Sequence, residues 1–284
     1  MKYLVMGVNG MAGHMIALYL KKQGHCVTGL ARKKSDLIDN TIICDVKDSE
    51  KVKSIVASDN YDYVINCIGI LNQNAENNKS DAVYINSFFP HYLAKITEKS
   101  DTSILQLSTD CVFSGKNAPY FEDSLRDGET FYDRTKALGE LEDCKNITLR
   151  GSIVGPDINT SGIGLFNWFM HQHGTIEGFK NAIWTGQSTL QLAKTIEAIT
   201  HLGLTGLFNT VPDTSISKYE LLKLFKKYMN KDDVEIIPCE KYRCDKTLIQ
   251  SNVGVCKSIP DYETMIAEMA DWISANKLIY PYNK

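Results

Sequence analysis

Apolar positions fall into two textures along this chain. Before about residue 155, short and nearly continuous apolar runs alternate with longer amphipathic ones. Lys2 to Met6, Cys26 to Leu30, Ile42 to Val46, Tyr63 to Gly69 and Ile104 to Leu107 are of the first kind. Such runs suit strands covered on both faces, as in a parallel sheet. Met15 to Leu20 opens a helix, and about Asp81 to Lys99 predicts a long one. The alternation predicts an α/β fold with a doubly wound parallel sheet. Later in the chain, Leu165 to Met170, Thr189 to Leu202, Ser217 to Met229 and Tyr262 to Ala275 read as helices. Ser217 can cap its helix, and Glu220 completes a capping box. Leu207 to Thr210 looks like a strand rejoining the sheet, and Val234 to Ile237 like a short strand elsewhere. The expected organisation is residues 1–155 as the main domain with 187–212 returning to it, and 156–186 with 213–284 as a smaller α+β lobe.

The first strand runs into Gly7-Val8-Asn9-Gly10-Met11-Ala12-Gly13, and a helical pattern follows at once. Strand, glycine turn and helix in this order form a dinucleotide cradle of Rossmann type. Gly7 permits the turn, Gly10 lets backbone approach a pyrophosphate, and Gly13 lets the helix pack close. The amides of the helix start then face phosphate. The second strand ends in Arg32-Lys33-Lys34. Cations at this point suit a ribose 2′-phosphate, so NADPH is expected, with NADH as the alternative. Asp45 ends the third run, where it can accept from an adenine amino group. The fourth strand's end, Cys67 to Gly69, is expected over the cofactor.

Ser108-Thr109-Asp110 follows the fifth strand, and Tyr132-Asp133-Arg134-Thr135-Lys136 comes soon after. Residues four apart share a helix face, so Lys136 is expected beside the Tyr132 ring. A phenol ordinarily titrates near 10, and an adjacent cation would lower that by roughly 1–3 units. Tyr132 would then serve as a general acid or base, a role worth about 10²–10⁴ in rate. Thr109 would hydrogen-bond the same substrate oxygen. Strand alternation should aim Asp110 away from the face of Thr109.

The remaining features mainly exclude. A net charge of -3 over 284 residues argues against a nucleic-acid surface. No apolar run is long enough to span a bilayer. The chain enters a strand at once, which leaves no room for a secretory signal. Eight cysteines are scattered without metal-type spacing, so a reducing, cytoplasmic setting is expected. His171 and His173 read as a solvent-facing pair, and no metal is expected.

With these residues on the page, the chain resembles the extended short-chain dehydrogenase/reductases. It is most similar to the dTDP-4-dehydrorhamnose reductase group of sugar-nucleotide reductases. The resemblance rests on Gly7/Gly10/Gly13, Cys44-Asp45-Val46, and Ser108-Thr109-Asp110-Cys111-Val112-Phe113-Ser114-Gly115. Pro119-Tyr120-Phe121-Glu122-Asp123 and Tyr132-x-x-Thr135-Lys136-x-x-Gly139-Glu140 complete it. It implies a reductase that moves hydride from NAD(P)H to the ketone of a nucleotide-linked 4-keto-6-deoxy sugar, in the synthesis of cell-surface polysaccharide precursors. Tyr132 would give the proton, Thr109 would orient the oxygen, and Lys136 would hold the nicotinamide ribose. The cofactor set would be Gly7, Asn9, Gly10, Met11, Gly13, Arg32, Lys33, Asp45, Val46, Cys67, Ile68, Gly69, Asn86 and Ser108, with Tyr132 and Lys136. Asn86 would support the proton path or make a buried helix contact. Thr109, Cys111, Tyr132, Ile153 and Trp184 would meet the substrate.

Four departures leave the sugar open. Cys111 replaces a tyrosine of the group. Arg150-Gly151-Ser152-Ile153 stands for R-T-S-W. Gly178 to Gly186 stands where D-Q-x-G-x-P-T is expected, and Arg243 to Thr247 where R-P-x-x-S is expected. Two other readings are an epimerase or dehydratase that recycles its hydride, and a non-catalytic NADP-binding regulatory subunit. A homodimer is compatible with the sequence.

Overall fold

The computed structural model describes residues 1–251 and 259–282. Its first half contains β1 (Lys2–Met6), α1 (Met11–Lys22), β2 (Cys26–Ala31), β3 (Thr41–Ile43), α2 (Ser49–Ala57) and β4 (Tyr63–Asn66). Then come α3 (Asn72–Asn77), α4 (Lys79–Ala82), α5 (Phe89–Ile96), β5 (Ser103–Leu107), α6 (Phe131–Ala137) and β6 (Ile147–Arg150). The second half holds β7 (Ser152–Val154), α7 (Leu165–Met170), β8 (Gly174–Trp184), β9 (Gly186–Ser188), α8 (Thr189–His201) and β10 (Gly206–Asn209). It closes with β11 (Ile216–Ser217), α9 (Lys218–Met229), β12 (Val234–Asp245) and α10 (Tyr262–Ala275).

Seven parallel strands form the main sheet in the order β10-β6-β5-β4-β1-β2-β3. The expected Rossmann-type doubly wound sheet is thus present. β1 shows why the sheet is covered twice. Tyr3 and Val5 face one core with Met15, Ile16 and Leu20 of α1 and Ile196 and Ile199 of α8. Leu4 and Met6 face the other with Val52, Ile55, Phe89 and Leu93. Successive residues of one strand therefore bury apolar side chains on opposite faces. The strand order reverses between β1 and β4, and a crevice opens there beyond their carboxyl ends.

Three expectations need correction. The helix expected over Asp81 to Lys99 is in three parts: α4, a π-helical turn over Val83–Phe88, and α5. Pro90 has no N–H for the carbonyl of Asn86. Gly139 also presses on that carbonyl, so closely that an added Cβ would lie 1.8 Å from it. The third strand stops at Ile43, which leaves Cys44 to Val46 beyond the sheet. The short strand expected at Val234 continues to Asp245 and pairs in parallel with β8. β8 was missed because Thr175, Glu177, Lys180 and Asn181 face solvent and blur the apolar alternation. With β11, these strands make a separate three-stranded sheet. None of the described helices is long and apolar enough to cross a membrane.

Candidate active site

The crevice between β1 and β4 has a volume of about 750 Å³. Gly7 turns the chain with φ of +85°, a conformation that favours glycine. An added Cβ there would sit 3.1 Å from Ile68. Gly13 is packed harder: its Cβ would lie 2.2 Å from the Gly7 carbonyl. Gly10 precedes the first residue of α1, so the helix start opens on the crevice. Gly7, Asn9 and Gly10 line one wall, and Cys67, Ile68 and Gly69 face them. Arg32, Lys33, Asp45 and Val46 line the far end. The exposed Arg32 and Lys33 leave their cations open to an anion.

Asn9 ties the turn to this basic loop by donating to the Lys33 carbonyl at 3.1 Å. A bare turn, a helix start and unshielded cations are the groups a dinucleotide phosphate needs, so NADPH fits this crevice. Met11 packs against Gly164 rather than lining the crevice. Asn159, absent from the sequence reading, also lines the crevice and donates to the Asn9 carbonyl at 3.2 Å. It comes from a polar loop with no pattern of its own, so no signal marked it.

β5 ends at Leu107, and the chain turns through Ser108 and Thr109 into a short 3₁₀ turn, Asp110–Val112. That turn ends strand alternation. Asp110 accordingly points back to Thr109, whose hydroxyl donates to its carboxylate at 3.1 Å. The expected divergence of these two side chains is overturned. Burial holds the Asp110 carboxyl above its usual range, against the opposing charge of Lys246.

Thr130 caps α6 in a reciprocal capping box with Asp133. The helix delivers Tyr132 and Lys136 to the same region, both buried. Lys136 Nζ donates to the Leu107 carbonyl at 2.7 Å, next to Ser108 and Thr109. Burial pushes its ammonium down to about 8, against the pull of Glu140. Burial, helped by Cys111, holds the Tyr132 phenol well above its ordinary value, while the Thr109 hydroxyl works the other way. The expected lowering by Lys136 is therefore reversed: desolvation decides the phenol's state, and it is neutral. A neutral phenol is a proton donor.

Glu140 anchors this corner. It accepts from Ser108 at 2.6 Å and takes a two-point contact from Arg150 at 2.8 and 2.7 Å, with Arg126 as a further partner. Burial alone would raise its carboxyl, but Arg150, Ser108 and Arg126 hold it below the usual range. Asn86 is also fully engaged: it accepts from Ile70 N, and donates to Ile70 O and Thr135 Oγ1. It locks the Gly69-Ile70 edge of the crevice onto α6.

On the substrate side, Cys111 is half-buried near Tyr132, its thiol pushed up to about 12 by burial. Cys67 is likewise pushed up to about 12. Ile153 lines a small cavity with Ser108 instead of an open wall. Trp184 is a correction: it is 5% exposed and packs in the core against Tyr262, so it cannot flank a sugar. The open aromatic wall lies elsewhere. A second cavity of about 830 Å³ is lined by Trp168, Phe179, Tyr242, Lys218, Glu177 and His171, among others. His171 and His173 are both exposed.

Among solved structures, a dTDP-4-dehydrorhamnose reductase from Clostridium acetobutylicum superposes with a TM-score of 0.80 at 22% identity, covering 96% of this chain and all of the other. The corresponding protein of Bacillus anthracis, solved in complex with NADP, gives 0.79 at 19%, with coverage of 95% and 99%. The probable low-salt glycan biosynthesis reductase Agl14 of Haloferax volcanii is 26% identical over 88% of this chain and 83% of its own. The dTDP-4-dehydrorhamnose reductase of Streptomyces griseus is 33% identical over 49% of this chain, which spans only 43% of that relative. The family described as the RmlD substrate binding domain matches residues 1–154, and the chain belongs to that family.

Proposed function

We propose that this chain is an NADPH-dependent reductase of a nucleotide-linked 4-keto-6-deoxy sugar. The observation that supports the reading is that a neutral Tyr132 reaches the Thr109 hydroxyl, while Lys136, bonded to the nearby Leu107 carbonyl, comes close to Cys67 on the crevice wall. NADPH, when bound, supplies a hydride for the ketone carbon. Tyr132 gives its phenolic proton to the carbonyl oxygen, and Thr109 holds that oxygen in line. Lys136 keeps a positive charge near the developing alkoxide. Arg32 and Lys33 bind the 2′-phosphate, and the cavity with Trp168, Phe179 and Tyr242 takes the substrate's nucleotide. Residues 156–186 and 213–284 thus act as the substrate lobe. The free cysteines among the described residues suit a reducing compartment, which we take to be the cytoplasm.

The curated relatives named as reductases support this reading, including a dTDP-4-keto-6-deoxy-D-glucose reductase of Streptomyces niveus, 25% identical over 84% of this chain and 82% of its own. A second reading draws on Asp110. A buried carboxyl beside Thr109, held above its usual range by burial, could move a second proton, as an epimerase or dehydratase would need. Purified protein with NADPH and a panel of such ketones separates the readings. Net loss of reduced nicotinamide supports the reductase. Product formation with no net loss supports the other.

A further inference from the structure

At the opposite end of the sheet, three potential metal ligands converge. His25 sits just before β2, at the amino ends of the strands, where Lys2 pairs with Cys26. Glu197 and His201 lie one turn apart on α8, four residues along the same helix face. The ligating atoms of all three lie within 4.8 Å of one another. Ions of the zinc class are bound by imidazole nitrogen and carboxylate oxygen at about 2.0–2.2 Å. Two tetrahedral ligands are then about 3.4 Å apart. His25 Nε2 and Glu197 Oε1, at 2.9 Å, are already near that spacing. His201 is exposed on the last turn of its helix, with its ligand atom within 4.8 Å of the other two.

The surroundings are those of a held ligand set rather than a chance ion pair. The Tyr19 hydroxyl donates to the other oxygen of Glu197 at 2.9 Å, which fixes the carboxylate and leaves Oε1 for an ion. His25 Nε2 is the nitrogen turned toward Glu197, and an ion bound there requires the ring proton to move to Nδ1, which now lies 3.3 Å from the amine of Met1. The Tyr3 ring packs edge-on against the His25 ring. Side-chain exposure is 9% for His25 and 21% for Glu197, so both are restrained before any ion arrives. An ion pair needs only these two. The second imidazole lies 5.5 Å from the first, centre to centre, and makes no hydrogen bond to protein among the described residues.

We infer that His25, Glu197 and His201 form a binding site for a borderline divalent cation of the Zn²⁺ class, with water completing the shell on the exposed side. The five residues of β1 separate it from the glycine turn by about 16 Å. Its role is therefore structural: it ties the turn after α1 to the end of α8, and these two helices share one face of the sheet. In sequence, 172 residues separate His25 from Glu197, so no motif announces it.

The test is a Co²⁺ titration of the untagged, chelator-stripped protein, followed by absorption, beside thermal unfolding with Zn²⁺. The site predicts one equivalent bound through nitrogen and oxygen, without a thiolate-to-metal charge-transfer band, and a higher Tm with Zn²⁺. His201→Gln, at an exposed position, should fold normally, keep NADPH oxidation unchanged, lose at least about tenfold in affinity and lose the Tm rise. Absence of binding, a thiolate spectrum, or equal binding by His201→Gln would each overturn the assignment. Failure of the reductase reading would show instead in the activity assay, which this site does not enter.

Discussion

The two large cavities, about 750 Å³ at the glycine turn and about 830 Å³ by Trp168, are built in opposite ways. The first is built around a backbone turn at strand ends, where Gly7 takes a φ of +85° and Gly13 packs so close that an added Cβ would lie 2.2 Å from the Gly7 carbonyl. The second is walled by residues from four separate stretches, Thr160 to Gln172, Glu177 to Phe179, Lys218 to Leu222, and Tyr242. Backbone walls fix a common ligand part that never changes, whereas side-chain walls can be altered without disturbing the sheet. One half of the molecule is therefore expected to hold its chemistry constant while the other sets the substrate.

Substitutions on each side should break this division cleanly. Tyr132→Phe removes the proton donor, and kcat should fall about 10²–10⁴-fold while NADPH binding, followed by nicotinamide fluorescence, stays intact. Replacing Arg32 and Lys33 together by Ala should weaken NADPH by about 10–100-fold and leave NADH nearly untouched, since only the 2′-phosphate loses its partners. Trp168→Ala should raise KM for the sugar nucleotide by about tenfold with little change in kcat, a split seen in steady-state kinetics. Gly13→Ala should cost about 1–3 kcal/mol in denaturant unfolding, because its Cβ meets the Gly7 carbonyl at 2.2 Å.

The smallest effect is one of pH. Lys136 is pushed down to about 8, so its charge disappears as pH rises through that value, and kcat/KM should fall with it. Stability should move the other way. The unfolded chain keeps this proton up to about 10.5, so it binds more protons than the folded one between about 8 and 10.5, and stability gains with pH across that window. Lys136→Met should remove both slopes.

The sequence revealed these halves unequally, for the same reason. Gly7, Gly10 and Gly13 lie in one seven-residue window, and Tyr132 and Lys136 share one helical turn, so local spacing discloses them. Trp184 misled because an aromatic near a lobe says nothing about which way it faces, and here Tyr262 covers it. Asp110 misled because alternation was carried past the end of a strand. The Lys136 effect misled because charge proximity can be read from spacing, while desolvation cannot. Phe179 and Tyr242 come together only when β8 and β12 pair, Trp168 joins them from α7, and the polar, exposed character of those strands hid the pairing.

The most direct measurement is the fate of deuterium from NADPH labelled at the transferable position of its nicotinamide. After turnover with a nucleotide-linked 4-keto-6-deoxy hexose, the account predicts one deuterium on the new carbinol carbon for each NADPH oxidised, and labelling about 10²–10⁴-fold slower with Tyr132→Phe. Product formed with no net oxidation of NADPH, or product formed without deuterium, would contradict the account.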